Sequence, residues 1–328
     1  MTGLPIHLLR PDILAAGTTD AEIKSSLHRR ELRRLGPGTY VDADAFNRLQ
    51  AEQQYRVRIR AVAARSKGLV VSHASAVALH ELPLLGLDLG CVHLTRPGHG
   101  GNRRAAARWV HAGELPLSLR TSVDGVAVTT VARSIVDLAR SVAPSIAVVA
   151  GDAALHRDMT TADELHEALA FAAQHAGRPR AQRALSLIDG RAESPGESIL
   201  RLVLHAQGIP LPALQIAVHD DAGRFVGRVD AGYPDDGVLL EFDGRVKYTQ
   251  LLKPGQTAVD AVMAEKAREE RLSELGWLVV RVTWAELHAP RALAQRISAA
   301  CSARRALVRH HGIRGSAAPM PARTTDWT

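Results

Sequence analysis

Arg224-Phe-Val-Gly-Arg-Val-Asp230-Ala-Gly-Tyr233, followed by Pro-Asp-Asp-Gly237 and then Val238-Leu-Leu-Glu241-Phe-Asp243-Gly244, is the stretch that decides how this chain is read. Two runs rich in β-branched and apolar residues stand on either side of an Asp-Gly turn, the pattern of an antiparallel hairpin. On the upstream side, Leu214-Gln-Ile-Ala-Val-His219 and the turn Asp220-Asp-Ala-Gly223 add another strand. Earlier still, Ser194-Pro195-Gly196-Glu197 opens a helix, with Ser at the cap, Pro at the first position and Glu three after the cap. That helix runs through Gln207 and stops at Gly208. Downstream, a long helix from Ala258 to Leu275 ends at Gly276, and Trp277-Leu-Val-Val-Arg-Val-Thr-Trp284 reads as a strand. Helix, three strands, helix, strand predicts a mixed sheet flanked by helices.

Three carboxylates fall at telling places in this pattern. Asp230 and Glu241 lie near the ends of neighbouring strands, eleven residues apart with a turn between them, and Glu197 sits in the first turn of the preceding helix. Carboxylates gathered in this way repel one another unless a cation neutralises them, and an all-oxygen donor set suits Mg²⁺ or Mn²⁺. Structural roles are open to the same residues. Glu197 is placed to complete a capping box, and Glu241 could form a salt bridge with Arg228 or Arg245.

The chain has 328 residues, enough for two or three domains, with 46% hydrophobic and 23% charged residues, so it can bury a core and is not a disordered polymer. Lys plus Arg exceed Asp plus Glu by 41 to 34, a positive balance that favours nucleic acid or an anionic membrane face as a partner. Lysines are scarce, and Lys247, Lys253 and Lys266 cluster beside the carboxylate region. Cys91 and Cys301 are too few and too distant for a zinc or disulfide framework. Neither a leader-like segment nor an apolar run of about 20 residues is present, so the expectation is a cytoplasmic protein with no membrane partner.

Residues 1–54 read as a winged helix-turn-helix. Thr18 and Thr19 are candidate caps before a helix from Asp20, a second, basic helical stretch covers His28 to Arg34, and Leu35-Gly-Pro-Gly38-Thr-Tyr-Val41 turns into a strand. Arg29, Arg30, Arg33 and Arg34 are then candidate phosphate contacts, or else a solvated basic face. Residues 55–190 read as a mixed α/β middle domain without catalytic spacing. His73, His80, His93, His99 and His111 offer no i,i+4 pair with an acidic third ligand, so no metal site is expected among them, and Gly98 to Gly101 does not open a helix as a phosphate-binding loop would. The third domain, 191–311, ends in an Arg-rich helix from Pro290, and 312–328 is expected to be a flexible tail.

The carboxylate region resembles the PD-(D/E)XK phosphodiesterase superfamily, in the branch similar to very-short-patch-repair endonucleases. The resemblance rests on Asp230, Glu241-Phe-Asp243-Gly244, the basic helix Lys266 to Arg271 and Gly276-Trp277, in that order over roughly 100 residues. It implies a restriction-endonuclease-like α/β (α+β) domain, a metal held by Glu197, Asp230 and Glu241, catalytic roles for Asp230, Glu241 and Asp243, and DNA contacts from Lys266, Arg268 and Arg271. The family's usual lysine two residues after the glutamate is replaced by Asp243, so Lys247, or failing that Lys266, would take its part. The N-terminal part resembles AbiEi-type antitoxins of type IV toxin-antitoxin systems through Gly38-Thr-Tyr-Val, Ser72-His-Ala-Ser-Ala and Val128-Thr-Thr-Val-Ala-Arg-Ser-Ile-Val-Asp. Two functions follow from these resemblances: a Mg²⁺-dependent DNA endonuclease, or a non-hydrolytic DNA-binding regulator or antitoxin with a cognate toxin as partner.

Overall fold

Thr19 caps the helix Asp20–His28 reciprocally: its hydroxyl accepts from the Glu22 amide while the Glu22 carboxylate accepts from the Thr19 amide at 2.7 Å. The computed structural model describes residues 4–98, 100–105, 107–172, 176–244 and 258–320, and the chain divides into two units, Met1–Ile188 and Asp189–Thr328. Residues 1–54 and most of 55–190, expected as separate domains, therefore lie in one unit.

The first unit begins with a small antiparallel sheet of β1 (Leu8–Leu9), β2 (Leu32–Gly36) and β3 (Thr39–Asp42), in the order β1-β3-β2. The expected basic helix over His28 to Arg34 is thereby corrected. His28 ends the preceding helix, Arg30 adopts a left-handed backbone with φ of 61°, and Leu32 already pairs with Asp42. Four arginines in seven residues carry good helix propensity, but the Gly36-Pro37-Gly38 turn closes a hairpin onto β3, whose Tyr40 and Val41 are buried. Tertiary packing overrides the local preference.

A six-stranded sheet follows, made of β4 (Val70–Val71), β5 (Val92–Pro97), β6 (Arg103–Ala105), β7 (Arg108–Gly113), β8 (Arg120–Val123) and β9 (Val126–Thr129). Its order is β6-β7-β5-β4-β9-β8, with β5–β7 and β4–β9 parallel and the other pairs antiparallel. The helices Ala51–Ala63, His73–Leu79 and Val131–Ser141 supply buried Tyr55, Ile59, Val77, Ile135 and Leu138 to the core around Leu94. The Tyr55 hydroxyl is satisfied inside that core, bonded to Ser75 and to the Cys91 carbonyl at 2.7 Å each.

The second unit is a five-stranded sheet of β10 (Ala213–His219), β11 (Phe225–Tyr233), β12 (Val238–Asp243), β13 (Leu278–Thr283) and β14 (Ser316–Pro319), ordered β13-β12-β11-β10-β14. The meander β10–β11–β12 is antiparallel, whereas β12 and β13 are parallel. A parallel pair needs a crossover, and the helix Ala258–Glu274 lies in it. One face of the sheet buries Leu240, Phe242, Val280 and Val282 against Leu200, Leu204 and Ile297 of the helices Pro195–Ala206 and Pro290–His311. The other buries Ile216, Val218 and Leu239 with Leu272 of the crossover helix and Trp277.

Gly196 has a packing role at this junction. A Cβ there would stand 2.0 Å from the Phe242 ring, so only glycine lets the start of the helix Pro195–Ala206 settle on β12. At the far edge, Ser316–Pro319 pairs with β10, correcting the expectation that everything beyond Gly312 is a flexible tail. Without that strand β10 would present an open row of backbone donors and acceptors. No helix among the described residues is long and apolar enough to cross a membrane.

Candidate functional site

Asp230 and Glu241 come together because β11 and β12 part at this level. Their pairing runs from Tyr233↔Val238 to Ala231↔Leu240, and the next residue on each strand is Asp230 and Glu241. Asp230 takes over the place of the ladder there, its Oδ2 accepting from the Phe242 amide at 2.8 Å. Across the other neighbour, Leu214↔Ala231 and Ile216↔Val229 bracket Gln215 and Asp230, which therefore face each other. Gln215 has a left-handed backbone, φ 50°, and is buried. Its Nε2 donates to Glu197 Oε2 at 3.1 Å, while its Oε1 has no hydrogen-bond partner among the described residues. Asp243 continues β12 and pairs in register with Thr283.

Glu241 is 15% exposed and lies against Arg268, whose Nη2 donates to Oε1 at 2.5 Å, with Arg281 Nε 3.8 Å from Oε2. Both arginines also bind Glu265, at 2.6 and 3.0 Å, and Arg281 reaches Glu269 at 2.9 Å. Burial pushes the Glu241 carboxyl above its usual range. Arg268 works against that rise, and the negative charges of Glu265 and Asp230 add to it. Burial opposes the Arg268 charge, yet its bonds to Glu265 and Glu241 hold it firmly protonated. Gly227 makes room for this arginine, since a Cβ on β11 would meet Arg268 Cδ at 3.0 Å.

The remaining expected members are spread around this pair. Glu197 is buried as the cap partner: Oε1 accepts from the Ser194 hydroxyl at 2.7 Å, and Oε2 accepts from the Glu193 amide at 3.0 Å and from Gln215. Its carboxylate does not join Asp230 and Glu241 in a three-ligand cluster, for among the described residues the one group of three His, Cys, Asp or Glu ligand atoms within 4.8 Å is elsewhere. Arg228, an expected partner of Glu241, instead forms a two-pronged pair with Glu193 at 2.7 and 2.9 Å. Lys247 and Arg245 lie outside the described residues. Lys266 points to solvent, 73% exposed and 3.9 Å from Glu270, and Arg271 is exposed one turn further on. Arg268, expected at a phosphate, is turned inward instead, though its Nη1 is buried with no acceptor among the described residues.

In the first unit Arg30 is exposed in the turn ahead of β2, and Arg33 and Arg34 are exposed on β2. Arg33 reaches Asn47 at 2.9 Å and lies over the Phe46 ring, and Arg29 is paired with Glu31 at 2.8 Å.

The group of three ligand atoms within 4.8 Å consists of His73, His93 and His111. The parallel register of β5 and β7 sets His93 beside Trp109 and Thr95 beside His111, so all four lie on one face of the sheet. His93 Nδ1 is 3.0 Å from His111 Nε2. His73, with φ of 52°, starts the helix after β4 and stacks on His111 with ring centroids 3.8 Å apart. Burial pushes His73 well down from its ordinary value and takes His93 and His111 to about 4, the charge of Arg104 adding to the effect on His93. Beside them Asp137 is 1% exposed and bonded to Arg133 at 2.9 Å and Arg140 at 3.0 Å. Burial works against its charge, but the Arg133 and Arg140 guanidiniums keep the carboxyl below its ordinary range. His80 stands apart, bonded to the Thr129 carbonyl at 2.8 Å, and His99 lies outside the described residues. The expectation that these histidines hold no metal constellation rested on the lack of an i,i+4 pair with an acidic third ligand, whereas the structure gathers residues 20 and 18 apart in the chain through the sheet. The signal that could have found them is the strand pattern around Val92-His-Leu-Thr and Trp109-Val-His, with the same face repeating at every second residue.

The molecule is thus a mixed α/β protein of two units, each with its own polar cluster. No family model matches the chain. It is similar to uncharacterized proteins from two strains of Mycobacterium tuberculosis, 32% identical over 177 residues, a match that covers 54% of this chain and 62% of the relatives' length.

Proposed function

We propose that this chain is a DNA-binding protein whose second unit hydrolyses phosphodiester bonds with the help of a divalent cation. The observation that carries the reading is the meeting of Asp230 and Glu241 where β11 and β12 part, within the helix, three-strand, helix, strand order of the restriction-endonuclease-like resemblance. The donor set fits a hard dication. Like charges gather around Glu241, the Arg268 guanidinium provides their counter-charge, and the buried Oε1 of Gln215 is an oxygen without a partner among the described residues. Asp230 and Glu241 would hold Mg²⁺ or Mn²⁺, which when bound polarises a phosphate and acidifies water. Lys266 and Arg271 give the solvent side a positive charge, and Asp243 extends the acidic edge. Exposed Arg30, in the turn ahead of β2, and exposed Arg33 and Arg34 on β2 supply salt-dependent contacts to the DNA backbone.

Purified protein incubated with supercoiled plasmid and Mg²⁺ tests this directly. Nicking is expected from the wild type and not from the Asp230→Asn/Glu241→Gln double variant, and equal nicking by both overturns the reading. A second function has its own observation: Glu241 is already neutralised by arginines, as it would be in a non-hydrolytic regulator or antitoxin. That function predicts plasmid left intact at every metal concentration, alongside promoter binding that weakens with salt and with Arg30→Ala/Arg33→Ala/Arg34→Ala.

A further inference from the structure

We propose that His73, His93 and His111 form a binding site for a borderline transition-metal dication of the zinc or cobalt kind, in the first unit and independent of the carboxylate pair. Three imidazoles are the donors such ions prefer, whereas Mg²⁺ and Ca²⁺ take oxygen. The ligand atoms lie within 4.8 Å of one another, and because a tetrahedral ion held at about 2.0–2.1 Å needs nitrogens roughly 3.3 Å apart, the stacked rings would turn about their side-chain bonds to converge on it.

The scaffold around the three rings is rigid. His93 and His111 stand on adjacent parallel strands joined over six register pairs, Val92↔Arg108 through Pro97↔Gly113. His73 is fixed from the other side of β5, because the Ser72 amide donates to the His93 carbonyl at 3.1 Å. The Ser72 hydroxyl accepts from Thr95 at 2.8 Å and lies 3.0 Å from His73 Nδ1, a contact that orients the ring and sets its tautomer. His93 is held through its own amide, which donates to the Ser75 hydroxyl at 2.8 Å. Trp109 stacks on His111 with centroids 4.8 Å apart and shields one side, with Arg104 over the indole in turn. Site geometry built on strands and locked by a supporting layer of hydrogen bonds is what a metal centre needs.

The neighbouring charges fix which residues are ligands. Asp137 is near His73, but its two oxygens are committed to Arg133 and Arg140, so it stays outside the coordination sphere. Three protein ligands leave a tetrahedral ion one position short, so the fourth ligand is exchangeable, unlike the closed set of a purely structural zinc. A plain hydrogen-bonded histidine cluster is the rival. It needs one ring to donate and the other to accept across the 3.0 Å contact between His93 and His111, and it gives no selectivity for any ion.

Full-length protein, stripped with chelator and dialysed, would be titrated with Co²⁺ and followed by visible absorption. The expected result is an intense tetrahedral band that saturates at about one equivalent per chain and is discharged by Zn²⁺. His93→Gln/His111→Gln should abolish the band while Asp230→Asn/Glu241→Gln leaves it intact, which separates this site from the carboxylates. His73→Gln alone should weaken Co²⁺ binding by about tenfold or more, and this single variant serves if the double one does not fold, as judged by circular dichroism. A weak octahedral spectrum from wild-type protein, or an unchanged band in the histidine variants, overturns the proposal.

Discussion

The two polar clusters handle burial in opposite ways. Around Glu241 the chain keeps its groups charged and answers each carboxylate with a guanidinium from the crossover helix or β13. Around His111 it keeps the groups neutral, stacks them, and sets the charged trio of Arg133, Asp137 and Arg140 to one side. The difference teaches what each cluster can exchange. An arginine-paired carboxylate can trade its guanidinium for another cation, and a neutral imidazole can offer its lone pair without first losing a proton.

The sharpest way to break this contrast is Asp137→Ala. It leaves Arg133, at 3% exposure, with its charge buried and its partner gone, and a loss of about 3–5 kcal/mol is expected from urea unfolding of the first unit. A loss under about 1 kcal/mol would show that the charged trio is not the support of the histidine face.

Acid should act next, and selectively. In chelator, the folded chain holds His93 and His111 neutral down to about 4, whereas the unfolded chain protonates them near 6.5. Their contribution is therefore complete above pH 6.5 and is lost as the pH falls through 4. One ring over that interval is worth about 3 kcal/mol, and the partial exposure of both brings the pair to about that total. A thermal melt of the first unit that stays flat between pH 6.5 and 4 in wild type, or equally steep in His93→Gln/His111→Gln, would erase the distinction between the clusters.

The smallest effect is expected from Arg268→Ala, at about 1–3 kcal/mol, because Arg281 remains near Glu241 and the carboxyl can take up a proton. If the arginine is the counter-charge that a dication replaces, the same variant should bind Mn²⁺ more tightly than wild type in a calorimetric titration. Weaker Mn²⁺ binding would assign Arg268 to holding the site together instead.

Much of the second unit was legible from its residues. The turns at Asp220-Asp-Ala-Gly223 and Asp235-Asp-Gly237, the Ser194-Pro195 helix start and Gly276 each act locally, and each falls where its chemistry places it. The partners of the carboxylates were not legible. Glu241 meets Arg268 and Arg281, and not Arg228, because the crossover helix brings Arg268 onto the sheet and the parallel β12–β13 register sets Arg281 opposite Glu241, while Arg228 pairs with Glu193, pairings that no local spacing encodes. The β2–β3 hairpin was hidden for a related reason: the residues of Leu32–Gly36 suit a helix as well as a strand until Val41 and Phe46 give them a core to cover. The histidines were hidden by distance along the chain, and only the β5–β7 register reveals them.

The short strand Ser316–Pro319 bears on how this protein behaves in company. By occupying the outer side of β10 through four paired positions, from Ile216↔Pro319 to His219↔Ser316, it moves that edge of the sheet from a seven-residue strand to a four-residue one ending in proline, a poorer template for a second molecule. Proteolytic trimming ahead of Ser316 would exchange this blunted edge for the longer one of β10, more open to strand exchange between chains.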